Sequence, residues 1–140
     1  MSDPSDMEGV AAKAPHGIAT VARSAGVSSR TLRHYEAVGL LPPTAIGDGG
    51  VRRYDDRALV RLQRILLLRE RGLGLPAIRA LLDEAPDDDA AVLATHVAWL
   101  ERERDRLARQ LAAVRTTVAR LERGDALEPA GVFDGFAPLR

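Results

Sequence analysis

The residues best suited to chemistry in this chain lie in the short run Thr31–Glu36. The run holds a threonine hydroxyl, a tyrosine hydroxyl and two basic side chains, Arg33 and His34. Arginine donates paired hydrogen bonds that match the acceptor edge of guanine, and hydroxyl groups reach phosphate oxygens. These residue types, placed close together, indicate contacts with a nucleic acid.

The flanking sequence predicts two short helices that would present this run on a protein surface. The first helix, over 21–25, is expected to end at Gly26, and the second, over 29–38, is expected to be capped by Ser28 or Ser29. Two short helices joined by a glycine-containing turn are typical of a helix-turn-helix, whose second helix enters the major groove of DNA. The sequence therefore predicts a DNA-binding protein.

A glycine-rich stretch further along the chain predicts a β-hairpin. Asp48 and Gly49 lie between two short extended segments, and the return strand is expected over 51–54. A hairpin after a helix-turn-helix is a wing, and Arg52 and Arg53 would give it a basic edge along a neighbouring groove or phosphate strand. The alternative interpretation of these two arginines is a charged edge that resists aggregation.

The charge of the chain is unevenly distributed, although its formal net charge is zero. Residues 17–72 include ten arginines and five acidic residues, whereas 73–100 include one arginine and five acidic residues. The basic segment coincides with the predicted helix-turn-helix, and local positive charge attracts a phosphate backbone whatever the total charge is. A GC-rich genome would produce the same preference for arginine, so composition leaves both explanations open.

The composition argues against several other classes of protein. The chain contains no cysteine, which removes disulfides, thiolate metal sites and cysteine nucleophiles. It contains no apolar run of about 18 residues, which a membrane span needs. The segment 47–50 is rich in glycine but lacks the Lys-Ser/Thr pair of a phosphate-binding loop, and no nucleophile–base pair is evident. We therefore expect no enzyme activity, no metal and no cofactor.

Apolar periodicity predicts three more helices, over about 56–71, 76–84 and 90–122. The last helix contains no glycine or proline, and its apolar residues recur in alternating steps of three and four over about four heptads. Such a helix is about 50 Å long and cannot bury its apolar seam against a small domain, so a partner helix is implied. The predicted seam consists of Leu93, Val97, Leu100, Arg104, Leu107, Leu111, Val114, Val118 and Leu121.

Arg104, the polar member of this seam, favours one direction of pairing. A parallel pair would place the two copies of Arg104 against each other, which is repulsive. In an antiparallel pair centred near residue 109, Arg104 of one copy meets Val114 of the other, and Leu107 meets Leu111. Every seam residue from 97 to 121 then has a counterpart, so the sequence favours the antiparallel arrangement.

Taken in order, these motifs resemble the MerR family of bacterial transcription regulators. The resemblance runs from about Gly17 to Glu84 and is carried by TLRHYE with GLLPP, by the hairpin ending GGVRRY and by RLQRILLLRERGLGLPAI. It implies a mainly α fold: a winged helix-turn-helix of four helices and a small β-hairpin wing, then a long antiparallel dimerisation coiled-coil helix. It also implies a homodimer that binds a palindromic promoter in double-stranded DNA and distorts the spacer, so that RNA polymerase can engage both promoter elements.

The resemblance also implies two sets of DNA contacts. Those of the recognition helix would be Arg30, Thr31, Arg33, His34 and Tyr35. Those of the wing would be Arg52, Arg53 and Tyr54. Val51 and Ala45 depart from the family's pattern, which often has an aromatic residue or histidine at the first position and an arginine near the second. Both departures remove possible phosphate contacts from the wing.

We expect the chain to divide into four segments. These are a disordered N-terminal tail over 1–16, the DNA-binding domain over 17–86, the dimerisation helix over 90–123 and a tail over 124–140. Val132–Phe136 resembles the segment that leads, in TipA-like members, into a separate antibiotic-binding domain. The last segment is therefore expected to be a linker to an absent effector domain, and a small-molecule effector would require that further domain.

Two functions remain to be distinguished at this point. The first is the dimeric DNA-binding regulator, cytoplasmic and associated with the nucleoid. The alternative is a coiled-coil adaptor whose winged domain binds a protein partner. Salt separates the two, because binding to DNA weakens steeply as salt rises.

Overall fold

The computed structural model describes residues 13–84 and 89–136, which form short strands and α-helices and divide into two compact units at residues 89 and 90. The predicted mainly α winged helix-turn-helix followed by a long helix is confirmed. The described helices are α1 (Ile18–Ala25), α2 (Ser29–Ala37), α3 (Asp56–Glu70), α4 (Leu75–Glu84), α5 (Asp89–Arg123) and α6 (Pro129–Val132). The described strands are β1 (His16–Gly17), β2 (Ala45–Ile46) and β3 (Arg52–Tyr54).

The helix-turn-helix consists of α1 and α2, joined at a left-handed glycine. Gly26 has φ of 72° and its N–H donates to the carbonyls of the last turn of α1, so this turn suits a residue without a Cβ. Ser28 caps α2, because its hydroxyl oxygen accepts a 3.0 Å hydrogen bond from the backbone N–H of Thr31. The first helix begins at Ile18, three residues before its predicted start, because Ile18 packs into the core and Gly17 is the N-cap.

The wing is a three-stranded antiparallel sheet with the order β1-β3-β2. The predicted hairpin is present as β2 and β3, with Ala45 opposite Arg53, and Gly49 and Gly50 take positive φ in the turn. The prediction of a disordered tail over 1–16 is wrong for its last residues. His16 pairs with Tyr54 in the sheet and Ala14 is completely buried. Residues 1–12 of that predicted tail lie outside the described residues.

A single apolar core holds the first unit together. Asp55 caps α3 by accepting a 2.9 Å hydrogen bond from the N–H of Ala58, which fixes where the helix starts and which stripe it turns inward. The inward stripes of α2, α3 and α4 meet the segment Leu40–Leu41 and strand β3. The largest fully buried side chains are Tyr54, Leu32, Leu40, Leu41, Ile65 and Ile78.

In the second unit, α5 is a 35-residue helix, and the residues after it fold back along one of its flanks. Arg120 donates to the carbonyl of Ala126, and Arg106 donates to the carbonyl of Gly135. A Cβ on Gly135 would lie 2.6 Å from the carbonyl oxygen of Arg106, so only glycine permits this approach. The segment predicted as a linker is therefore held against α5 at Ala126 and Gly135, although Phe133 and Phe136 stay exposed. Residues 137–140 lie outside the described residues.

The opposite side of α5 presents the predicted seam. Arg104 and seven of the apolar seam residues are exposed, and those seven retain 41–63% of their accessible surface. Leu93 is half-buried. A contiguous apolar stripe of this kind is rare on a monomer and marks an interaction surface. Over the described ranges, no helix combines the length and the apolar character that crossing a membrane requires.

Candidate nucleic-acid interface

The outward face of α2 carries three basic side chains that point away from the protein core. Arg30, Arg33 and His34 are spaced at i, i+3 and i+4, and all three are exposed. Neither Arg30 nor Arg33 makes a hydrogen bond or an ion pair with any residue that the structure describes. Their donors are therefore available to a ligand, as the sequence predicted.

Thr31 lies half-buried in the first turn of the same helix. Its hydroxyl oxygen is 3.0 Å from the hydroxyl oxygen of Ser28, whose side chain also caps the helix. The two hydroxyl groups sit at the helix N-terminus, where backbone N–H groups and the helix dipole favour an anion. This geometry suits a phosphate contact more than a base contact.

Tyr35 was predicted to contact DNA, and the structure corrects this prediction. Its side chain is only 2% exposed, because position 35 falls on the inward stripe of α2 with Leu32. Its hydroxyl accepts a 2.8 Å hydrogen bond from Nη1 of Arg69 on α3. Tyr35 therefore joins the recognition helix to α3 instead of offering a free hydroxyl to a ligand.

Tyr54 was also predicted to contact DNA, and it is completely buried. It ends strand β3 and points into the core, where its hydroxyl has no hydrogen-bond partner among the described residues. Burial, followed by the nearby Glu36 carboxylate, raises the pKa of the Tyr54 phenol above its ordinary value. The phenol is thus neutral and inaccessible, so we withdraw it from the candidate contacts.

Substituting Tyr54 with phenylalanine tests this correction. We expect the affinity for duplex DNA to stay within about twofold of wild type, and the free energy of unfolding to be unchanged or higher, because leaving a buried hydroxyl unpaired costs about 1–3 kcal/mol. The matched variant is Tyr35→Phe, which deletes a paired hydroxyl and is expected to lower stability by about 0.5–1.5 kcal/mol. Urea unfolding and fluorescence anisotropy measure the two quantities. A tenfold loss of affinity in Tyr54→Phe would restore the original assignment.

The two wing arginines are bonded within the protein. Nε of Arg52 donates to Oε2 of Glu36 on α2 at 2.7 Å. Nε and Nη2 of Arg53 donate to the backbone carbonyls of Ala14 and Pro15 at 2.8 and 2.7 Å. The hydrogen bond to Glu36, reinforced by its charge, raises the pKa of Arg52 above its ordinary value. Each guanidinium therefore uses part of its donors inside the protein, Nε in Arg52 and Nε with Nη2 in Arg53.

Two further arginines brace the segment that follows the recognition helix. Nε of Arg61 on α3 donates to the carbonyl of Leu40 at 2.7 Å, and Nη1 of Arg79 on α4 donates to the carbonyl of Val38 at 2.9 Å. These contacts satisfy carbonyls at and just beyond the C-terminal end of α2, where the helix leaves them without partners. These roles were not predictable from the sequence, because each acceptor lies at least 21 residues away along the chain.

Hydrogen bonds inside the protein reduce the number of arginines whose N–H donors are free to bind a ligand. Of the ten arginines between residues 17 and 72, at least four donate to groups inside the protein: Arg52, Arg53, Arg61 and Arg69. The exposed arginines of that segment without such a contact to any described residue are Arg23, Arg30, Arg33 and Arg57. A hydrogen bond to a neutral oxygen leaves the charge of a guanidinium in place, so these contacts reduce the number of free donors and not the charge. Two of the four arginines with free donors lie on α2.

The described residues offer no metal site. Within 13–84 and 89–136 no group of three or more histidine, aspartate or glutamate side chains is placed to hold a metal ion.

The fold and the exposed face of α2 define a winged helix-turn-helix protein with its second helix presented for recognition. That is the architecture of a nucleic-acid-binding module.

Comparison with known proteins gives the family. Residues 17–85 match the family described as MerR HTH family regulatory proteins, and the chain belongs to the MerR family. The crystal structure of the HTH-type transcriptional regulator SkgA from Caulobacter crescentus superimposes with a TM-score of 0.75 at 40% identity, covering 88% of each chain. Proteins of this family are named as regulators, so the prediction that the chain is not an enzyme is confirmed.

Two longer relatives are named as activators. The HTH-type transcriptional activator TipA of Streptomyces coelicolor is 38% identical over 121 residues, which are 86% of this chain and 48% of TipA. The HTH-type transcriptional activator mta of Bacillus subtilis is 34% identical over 117 residues, which are 84% of this chain and 46% of mta. The chain thus spans about half the length of these curated relatives.

Proposed function

We propose that this chain is a sequence-specific DNA-binding transcription regulator that acts as a homodimer on a palindromic promoter. The observation that carries the proposal is the outward face of α2, where Arg30 and Arg33 are exposed and have no internal partner among the described residues. An arginine whose donors are left open on a capped, braced helix is suited to bidentate recognition of guanine. The names of SkgA, TipA and mta support the same assignment.

The recognition helix divides its contacts by chemistry. We assign base contacts to Arg33 and His34 and phosphate contacts to Arg30 and Thr31, since Thr31 lies at the N-terminus of α2 beside the capping serine. Contacts to phosphate set the position of the helix in the groove, and contacts to base edges supply the specificity. Tyr35 holds this helix against α3 and makes no direct contact in the proposal.

The homodimer is proposed to form through the exposed stripe of α5. An antiparallel pair centred near residue 109 buries Leu107 against Leu111 of the other copy, and Val97 against Leu121. Arg104 then faces Val114 and keeps its guanidinium near Asp105, which lies 3.4 Å away in the same helix and compensates its charge. This pairing removes from water a stripe that is otherwise exposed along the helix.

The proposed regulatory step depends on the free energy needed to bend the promoter DNA. Bending a site of 20–30 base pairs by 40–90° costs about 1–6 kcal/mol, and contacts made by two recognition helices can offset that cost. We propose that the dimer distorts the promoter spacer in this way, so that RNA polymerase engages both promoter elements. The proposed location of the protein is the cytoplasm, in association with the nucleoid.

Selection of bound duplexes from a random pool tests the proposal directly. We expect two inverted half-sites with one preferred spacing, because a two-fold symmetric dimer presents two identical helices. Binding to the selected duplex should weaken steeply between about 50 and 200 mM salt, as several counterions are released. Enrichment of no sequence, together with no binding at low salt, would contradict DNA recognition and leave the protein-binding adaptor.

A further inference from the structure

Glu36 and Arg52 connect the two parts of the candidate interface. Glu36 lies on the recognition helix, three residues after Arg33, and Arg52 begins strand β3 of the wing. Their 2.7 Å ion pair is a hydrogen bond between side chains that are only 27% and 31% exposed. An ion pair that is largely shielded from water is less weakened by solvent than one on an open surface.

The register of the sheet places Arg52 and Arg53 on opposite faces of the wing. Arg52 lies opposite Ile46 on β2, so both side chains share the face of the wing that meets the recognition helix. Arg53 points to the other face, where it binds the carbonyls of Ala14 and Pro15 and so fixes β1 against β3. The two arginines therefore clamp the wing from both faces.

Arg52 is compensated by its ion pair with Glu36, whereas Arg53 donates to neutral carbonyls and keeps its positive charge. At the tip of the wing, residues 46–51, Asp48 is the one charged side chain. Ile46 is 57% exposed and Val51 is 44% exposed, and the turn between them is built of glycines around Asp48. Such a tip can contact the apolar sugar face of a groove. Contacts of this kind depend on the angle of the wing and only weakly on salt.

We infer that the Glu36–Arg52 pair is a positioning device that sets the wing against the recognition helix, and that Arg52 is not itself a phosphate contact. The inference rests on the proposed function and adds to it a role for a carboxylate on the DNA-facing helix. As a positioning residue Glu36 strengthens DNA binding. Considered only as a charge, Glu36 weakens DNA binding, because it repels phosphates and also occupies the Nε of Arg52. The two accounts therefore predict changes of opposite sign.

The deciding variant is Glu36→Ala, measured on the selected operator by fluorescence anisotropy over a series of salt concentrations. As a positioning residue, Glu36 should be needed for tight binding, and we expect affinity to fall about tenfold with the salt dependence unchanged. Hydroxyl-radical footprinting should show loss of backbone protection beside the wing, with backbone protection at the recognition helix retained. If Arg52 binds phosphate instead, Glu36→Ala should bind as well as wild type or tighter, which would overturn the inference.

The matched control is Glu70→Ala. Glu70 is an exposed carboxylate on α3 without a hydrogen bond or an ion pair to any described residue. The substitution Glu70→Ala therefore removes the same charge as Glu36→Ala and makes the same change in helix propensity. We expect it to bind as wild type or slightly tighter. Arg52→Gln provides a second variant, and the slope of its salt dependence should stay nearly unchanged, whereas loss of a direct phosphate contact in both copies of the dimer would lower that slope by about two.

The same measurements distinguish a failure of the proposed DNA-binding function from a failure of the positioning role of Glu36. If wild type binds no duplex at low salt, the proposed function fails before any variant is compared. If wild type binds the selected operator and Glu36→Ala matches it or exceeds it, only the positioning role fails. Circular dichroism melting of each variant confirms that the compared proteins are folded.

Discussion

Replacing Arg33 with alanine is expected to abolish sequence-specific DNA binding while leaving the protein folded. The guanidinium is exposed and bonds to no described residue, so its removal leaves no unpaired group behind in the protein. A bidentate contact to guanine contributes about 1–3 kcal/mol of discrimination. Because a homodimer carries two copies of the residue, the loss is about 2–6 kcal/mol, which amounts to roughly 30-fold to 10⁴-fold in affinity.

Footprinting and anisotropy on the selected operator measure this effect. The matched control is Arg102→Ala, which removes one exposed arginine from the outer face of α5 and should leave the operator affinity nearly unchanged. The variant Arg33→Ala should still bind random duplex weakly at low salt, since Arg30 remains as a source of positive charge. Full protection of the operator by Arg33→Ala would refute the role assigned to this side chain.

The second large effect is expected at the middle of the seam. Leu107→Asp combined with Leu111→Asp should give monomers, because antiparallel pairing places these residues against each other and would bury four carboxylates at one point. Operator affinity should fall by a factor of about 10²–10⁴, since each half-site then binds its protein independently and the gain from linking two binding modules is lost.

Sedimentation equilibrium gives the association state, and circular dichroism reports whether the first unit stays folded. The control is Ala98→Asp combined with Ala112→Asp, which adds the same two charges at exposed positions away from the seam and should leave the dimer intact. Dimers that persist in Leu107→Asp with Leu111→Asp would show that the stripe of α5 is not the dimer interface.

Local signals in the sequence were sufficient for most of the helices. Ser28 and Asp55 accept hydrogen bonds from N–H groups three residues ahead, and Gly26 takes the left-handed conformation, so each helix boundary near them was predictable. The start of α1 was predicted three residues too late, because burial of Ile18 in the core extends the helix toward the N-terminus. Burial depends on the whole core, and local signals in the sequence do not report it.

Strand β1 shows the same limit more clearly. It is two residues long, and it exists because His16 and Gly17 pair with β3 and because Arg53 binds the two carbonyls before it. No period or propensity can appear in two residues, so the segment looked like the end of a polar tail. The strand is therefore defined by partners almost 40 residues away.

The sequence alone determined the order and type of the five longer helices, the hairpin, the seam of α5 and the outward face of α2, and it did not predict the four-residue helix α6. Those features follow from caps, turns and periodicities, whose interactions join residues only a few positions apart. Only the tertiary structure decided which basic and hydroxyl groups remain available to DNA. Arg52 meets Glu36, Arg53 meets Ala14 and Arg69 meets Tyr35 across 16 to 39 residues of chain, and no local pattern carries such pairings.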